Sequence, residues 1–501
     1  MSSSSDSKAE AGTGTMVLPS IELLSPALVR RILDEAFQLM SKPGIKVLSS
    51  RARDLVQSAG AHVGSSPDVM RIPERTVRAA LETAPKSFEL YDQQGRRSVT
   101  YGGNAVQFDP GSSAVHVLDP ETLEHRSAKT ADLVRLVKVA ELLPEYAAQS
   151  TAVICEDVPR EIGDLYRLYL VLMYSGKPVV TGAFSNGTLQ VMIDMLASLA
   201  GGRKALAERP RAVFDVCPSP PLIWSSFGAE NLMELAAASI PAEMVSMPLA
   251  GAAAPVTLLG AITQHAAECL SGITIHQLAN PGSPIVWGGA PAIFDMRRGT
   301  TPMGAVETAM IDASYAEVGK SLGLPTHCYL GASDSKLVDA QAGLESGMTT
   351  LIGALAGINM ISGAGMLDFL ACQSAEKLVV DAEGIGMTKR LLAGLQVRTG
   401  TLATAFFEGI DFKGDFLKQK ATRDLFSQEQ HMPSAIIDRE SVRGWQHSGS
   451  LDTFARAKQR THELLGQYQR PQMAVEQEAE LTRAVEAIAA EAGMARIPEL
   501  A

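Results

Sequence analysis

The chain has 501 residues, with 44 Lys and Arg against 55 Asp and Glu, a formal net charge of −11, and 46% hydrophobic and 20% charged residues. This is the composition of an acidic globular protein with a large core. The absence of basic clusters excludes a nucleic-acid partner, whose phosphates need grouped Lys and Arg.

Met1 to Thr15 is rich in Ser, Gly, Ala and Thr and lacks the layout of a signal peptide, so residues 1–20 are read as a disordered tail. Residues 21–105 are expected to form a helical N-terminal extension, with helical patterns at Ala27–Ala36 and Pro73–Thr83. From about Val106 the texture changes to short apolar or β-branched runs, each followed by a stretch of helical length. Eight strands are predicted, at Val106–Phe108, Ala152–Cys155, Pro178–Gly182, Ala212–Cys217, Ala242–Met247, Pro284–Trp287, Thr326–Leu330 and Ile358–Gly363. Helices are expected between them, with a last one near 367–376. Eight strand–helix units imply an α/β fold, a (β/α)8 TIM barrel over 106–376, followed by a helical C-terminal region over 377–501. Apolar runs are broken well before the roughly 18 residues of a membrane span, which places the protein in the cytoplasm, away from membranes. A homo-oligomer is expected.

The motifs first narrow the chemistry by what is missing. Cys155, Cys217, Cys269, Cys328 and Cys372 lie far apart without a CxxC pair, which argues against a disulfide framework or a thiolate zinc cluster. There is no phosphate loop, dinucleotide fingerprint, HExxH or GxSxG, the His residues are scattered, and no metal site is expected.

Function in a barrel collects where the strands end, at their C-terminal tips. In strand seven the alternation puts His327, Tyr329 and Gly331 on one face, polar toward the lumen, with Gly331 leaving room for a ligand. Trp287, beside the Gly288-Gly289 turn, could wall a pocket with an aromatic face that attracts quaternary ammonium. Glu156 and Asp109 are strand-tip carboxylates able to meet a cation or to cap a turn. Strand three ends Thr181-Gly182-Ala183-Phe184, part of a rim dominated by small residues that leaves the mouth open.

The phrases Asn280 to Gly289, Gly331 to Lys336 with Asp339 and Gln341, and Phe108-Asp109-Pro110-Gly111 resemble the trimethylamine:corrinoid methyltransferase superfamily. So do Phe416 to Thr422, His431, Asp438-Arg439 and Trp445 to Gly449, and the likeness runs from roughly residue 20 to 465. Its members are (β/α)8 barrels that move a methyl group from an amine to the cobalt of a separate corrinoid-binding protein. The trimethylamine branch carries an in-frame pyrrolysine, whereas this chain reads through with ordinary residues, the replacement being placed in the Tyr329–Ser333 neighbourhood. The resemblance therefore implies the non-pyrrolysine branch and a quaternary amine, glycine betaine foremost, as methyl donor. Cobalamin would be held by the partner protein and none bound directly. Under that reading His327 orients the substrate, Tyr329 and Trp287 contact the cation, and Asp334 or Glu156 balances its charge, with Phe184 and Gly331 completing the binding site. The rival readings are a metal-independent barrel lyase or aldolase, for which a Schiff-base lysine is hard to find beyond Lys336 and Lys177, and a non-catalytic betaine-binding protein.

Overall fold

The structure is a computed structural model that describes residues 18–499 other than 186, 411, 414 and 415. Most of the expected N-terminal tail, residues 1–17, lies outside the described residues.

Eight short parallel strands close a barrel: β1 (Gln107–Pro110), β2 (Gln149–Ser150), β3 (Val179–Thr181), β4 (Ala212–Val216), β5 (Ala242–Met244), β6 (Ile285–Val286), β7 (His327–Cys328) and β8 (Met360–Ala364). Strands β2 to β6 form one ladder in sequence order, and β7, β8 and β1 form another. The Trp287–Thr326 bridge joins β6 to β7, while Ala147 N–H donates to Phe108 O (2.9 Å) across β1 and β2. Each strand leads to a helix of the outer layer: α1 (Thr130–Leu142), α2 (Gly163–Tyr174), α3 (Thr188–Ala200), α4 (Ser226–Ala237), α5 (Leu258–Ala279), α6 (Val306–Ser321), α7 (Ala340–Leu355) and α8 (Ala375–Leu392). Side chains such as Ser225, Thr257, Asp339 and Ser374 cap the first turns, taking up N–H groups that the helix leaves unpaired.

The bottom of the barrel is sealed by its own preceding segment. A hairpin, Ser87–Tyr91 paired with Arg97–Gly102, inserts Leu90, Val99 and Tyr101 against Val180, Val213, Val286 and Met360, which point inward from β3, β4, β6 and β8. Tyr101 stacks on Phe88 with ring centroids 4.8 Å apart. Aligned valines therefore face a hydrophobic plug rather than water.

The N-terminal extension is mixed rather than helical throughout. Helices Pro26–Ser41, Ser50–Ser58 and Glu74–Thr83 pack on α5, and the strands Ile45–Val47, His62–Val63 and Val69–Arg71 build a small sheet with Ile223–Trp224. Strands of two or three residues carry too little alternation to be read in a sequence. The extra helical layer explains why α5 is buried on nearly all sides, from Ala261 to Gln277: a helix covered all round has no solvated face to mark.

Two other expectations are corrected. The second strand lies at Gln149–Ser150, ahead of Ala152–Cys155, because its polar side chains are satisfied internally: Gln149 Nε2 donates to Val137 O (3.1 Å) and Ser150 Oγ to Gly111 O (2.9 Å). The 367–376 helix is instead a hairpin, Met366–Leu367 with Cys372–Gln373, turned by Asp368, Phe369 and Leu370 at φ of 49°, 57° and 71°. Helix α8 starts only at Ala375 and runs to Leu392, so the barrel continues past residue 376. At the C-terminus, Thr453–Gln467 packs on α1 and α8, and Val475–Glu491 lays Leu481, Val485 and Ala489 against α2 and α3. Among the described residues no helix is long and apolar enough to cross a membrane.

If the plug holds the barrel bottom, truncating its centre is costly. Leu90→Ala is expected to destabilise the protein by about 2–5 kcal/mol, the usual range for a fully buried leucine, read as a lower denaturant midpoint at unchanged slope.

Candidate functional site

Side chains alternate along a strand, so the residues two positions beyond the plugged layer also face inward. After Val180, Val213, Val286 and Met360 these are Gly182, Asp215, Gly288 and Ser362. Asp109 of β1, Glu243 of β5 and His327 of β7 join them, and the β4–β5 register sets Asp215 directly beside Glu243. Three carboxyl groups and a histidine thus occupy one buried layer. Gly288 makes the room, since a Cβ there would lie 3.0 Å from the His327 ring.

A continuous polar chain runs around this layer. Tyr101 hydroxyl donates to Glu243 Oε2 (3.2 Å), linking the plug to the site. Ser362 Oγ donates to Asp109 Oδ1 (2.5 Å), which leaves the serine oxygen to accept from His327 Nε2 (2.9 Å). That assigns the proton to Nε2 and leaves Nδ1 bare, 3.0 Å from Glu243 Oε1 but off the axis of a well-formed hydrogen bond. Above it, Tyr329 hydroxyl donates to Asp215 Oδ2 (2.9 Å) and meets Ser112 Oγ at 3.1 Å, its ring set edge-on to His327 at 4.9 Å. Arg167 reaches over from α2, its Nη1 donating to Ser113 Oγ (2.9 Å) and Thr151 O (3.1 Å). Its charge is felt by Asp215 and Tyr329.

Burial dominates the electrostatics. Loss of water lifts Glu243 to about 8 and depresses His327 to about 4. It raises Asp109 and Asp215 well above the carboxylate range, with repulsion among the three acids adding to the shift. Asp215 and Glu243 stand side by side in the β4–β5 register, and this closeness of two acids favours the protonated form of Asp215. Even so, Asp109 Oδ2, Asp215 Oδ1 and Glu243 Oε1 have no hydrogen-bond partner among the described residues. A positive charge brought beside these groups would favour their ionised forms.

His327 and Tyr329 therefore come together in the lumen, but the other expected residues do not join them there. Trp287 follows inward Val286 and so points out, donating from Nε1 to Tyr315 O (2.9 Å) on α6. Its indole fills the space beside Gly319, where a Cβ would fall 2.6 Å away. Gly331 sits past the strand at φ 92°, with its open side toward Thr350 of α7. Asp334 ties two loops, accepting from Met303 N (2.7 Å) and Gly304 N (3.0 Å), with burial lifting it to about 6. Glu156 is exposed on the loop after β2. Phe184, half exposed, folds its ring over Gly182 at the mouth, 6.0 Å from the Arg167 guanidinium. Asp215, Glu243, Ser362, Tyr101 and Arg167 were missed. The readable signal was a lone acid within an apolar strand, as in Ala212-Val213-Phe214-Asp215-Val216 and Ala242-Glu243-Met244. A cleft of about 1240 Å³ lies elsewhere, between Pro26–Ser41 and the ends of α6 and α7.

Residues 2–493 match the model of the family described as trimethylamine methyltransferase. The chain belongs to that family. It is 29% identical over 460 residues to a trimethylamine methyltransferase of Desulfitobacterium hafniense (92% of each chain) and 30% identical over 475 residues to that of Methanosarcina thermophila (92% of this chain, 97% of the other). Identity to a glycine betaine methyltransferase of Desulfitobacterium hafniense is 28% over 467 residues, covering 93% of this chain and 96% of the other. The family that the Asn280–Gly289 and Gly331–Lys336 motifs resemble is thus the chain's own, and its sequence contains ordinary residues throughout.

The raised acid makes a pH prediction. Glu243 titrates near 4.5 when unfolded and about 8 when folded, so its contribution to stability is fully present at low pH and is lost as pH rises through about 8. The unfolding midpoint should fall between about pH 5 and pH 8, and Glu243→Gln should flatten that fall in a calorimetric pH series.

Proposed function

We propose that the protein transfers a methyl group from a quaternary amine, with glycine betaine as the leading candidate, to the cobalt of a corrinoid carried by a separate protein. The observation that carries this reading is the buried layer of Asp109, Asp215 and Glu243, whose orphaned oxygens face a lumen with no lysine in the network. A permanent cation needs no proton before the carbon–nitrogen bond breaks, and it is the ligand that such a layer would stabilise best. Arg167 supplies the complementary half. Its Nη2 has no acceptor among the described residues, and the field of its guanidinium reaches Asp215 and Tyr329. Carboxyls below and a guanidinium at the rim match a zwitterion, which favours a betaine over a simple alkylamine. Tyr329 keeps the aromatic role expected of it, and Phe184 at the mouth takes the one expected of Trp287.

Co(I) of the corrinoid would supply the nucleophile. The protein's part is to hold the methyl-bearing nitrogen in line, keep water out from below through the plug, and adjust charge. When the carbon–nitrogen bond breaks, its electron pair stays on nitrogen and the positive charge vanishes. The carboxylate that balanced that charge then takes back from solvent the proton it released when the cation bound, as its raised affinity for protons favours. The mouth suits a protein partner: Val115, Ile154, Phe184, Met247, Met296 and Leu337 are exposed apolar side chains on six different strand-to-helix loops.

A Schiff-base lyase finds less support. Lys177 donates to Ala140 O and Leu143 O at the far end of the barrel, and Lys336 is bound to Asp334 O and Asp368 on the rim. A betaine-binding protein without turnover would share the same lumen, so catalysis itself must be measured. With free cob(I)alamin, methylcobalamin formation is expected with glycine betaine and not with trimethylamine. Equal rates with both would overturn the substrate class. Arg167→Met should raise KM for glycine betaine by tenfold or more, about 1.5–3 kcal/mol for a lost charged hydrogen bond, while leaving any turnover of tetramethylammonium unchanged.

A further inference from the structure

At the end of the barrel opposite the mouth, Arg211 immediately precedes β4. It is 5% exposed, and among the described residues neither Nε nor Nη2 has a hydrogen-bond partner. Its side chain lines two adjoining cavities of about 680 and 330 Å³. Burying a guanidinium without an acceptor forfeits hydration that nothing in the chain replaces, and this loss draws its pKa down to about 10.

The larger cavity gathers further positive character. Lys177 and Arg96 line it, as do Ala474 and Gln477 at the start of the 17-residue helix Val475–Glu491. That helix has no side-chain cap, so the N–H groups of its first turn have no capping side chain, and the positive end of its dipole lies where Ala474 and Gln477 line the cavity. Glu476 and Glu478 lie in the same turn, and Glu478 is paired with Arg470 at 3.0 Å. The cavity's own carboxylates are already engaged. Glu141 accepts from Ser175 Oγ and Gly176 N, and Asp92 accepts from Gln94 N, Arg96 N and Arg96 Nε. Arg96 is bonded to Asp92 and Lys177 donates to Ala140 O and Leu143 O, so it is Arg211 whose Nε and Nη2 are left without an acceptor among the described residues.

We propose that this cavity binds a small oxyanion, a carboxylate or a phosphate-type anion, on Arg211 and the first turn of Val475–Glu491. The site has no part in methyl transfer. Its walls come from three separate parts of the chain: the turn of the plug hairpin, the bottom of the barrel and the C-terminal segment, already joined where Gln93 Nε2 donates to Gln472 O (2.9 Å). A bound anion would tie the three together.

The test is thermal unfolding of the full chain in chloride, acetate and inorganic phosphate at fixed ionic strength, for wild type, Arg211→Met and Arg211→Lys. For wild type a saturable rise of about 2 °C or more over chloride is expected, by the linkage that stabilises any folded state binding a ligand. A rise with acetate alone identifies a carboxylate, and a rise with phosphate alone a phosphate-type anion. Arg211→Met should lose the rise and Arg211→Lys should keep part of it. General salting effects do not saturate and do not depend on one side chain. Equal midpoints in all three salts for wild type, or an undiminished rise in Arg211→Met, would overturn the proposal. Should Arg211→Met fail to fold, limited proteolysis of wild type decides: the effective anion should slow cleavage near residues 470–477, and unchanged cleavage refutes binding.

Discussion

A carboxyl group taken out of water must find a cation or surrender its charge, and this barrel places three such groups in one layer. Much of the surrounding structure follows from that constraint. The hydrophobic plug below denies the acids solvent from one side, which is why their protons are held so firmly. The hydroxyls of Tyr101, Tyr329 and Ser362 each satisfy one carboxyl oxygen, and the remaining oxygens have no hydrogen-bond partner among the described residues. The strain of the arrangement is chemical rather than conformational. On the proposed reading, a cation entering the layer would relieve the repulsion that the fold imposes.

The alternating texture of short apolar runs and helical stretches carried the architecture, because a barrel strand buried on both faces is almost continuously apolar and its helix is periodic. The same rule hid β2, where Gln149 and Ser150 find acceptors on neighbouring elements, and so a polar dipeptide serves as strand. The turn at Asp368 to Leu370 was equally hidden, since three successive left-handed residues without glycine have no compositional signature.

At the site, parity decided what could be read. His327 and Tyr329 both face the lumen as expected, because Tyr329 follows β7 directly and continues the alternation that separates its polar and apolar faces. Trp287 was misplaced because the two strictly ordered residues of β6, Ile285 and Val286, are both apolar and leave the inward face undetermined. Only the contact of Val286 with the plug resolves it, and that is a long-range fact. Asp215 and Glu243 stood in view as lone acids in apolar strands. Their significance emerges only when the β4–β5 register sets them side by side, a pairing that no local window contains.

The link from Tyr101 to Glu243 bears on how such a protein can be altered by evolution or by design. The hairpin ends at Gly102 and β1 begins at Gln107, so the boundary between extension and barrel is only a few residues long. A crossover at that boundary would recombine a plug from one ancestor with acids from another, separating a hydroxyl from the carboxyl it serves. Hairpin and barrel form a single heritable module, and shuffling them as independent parts would yield chimaeras that fold around a mismatched floor.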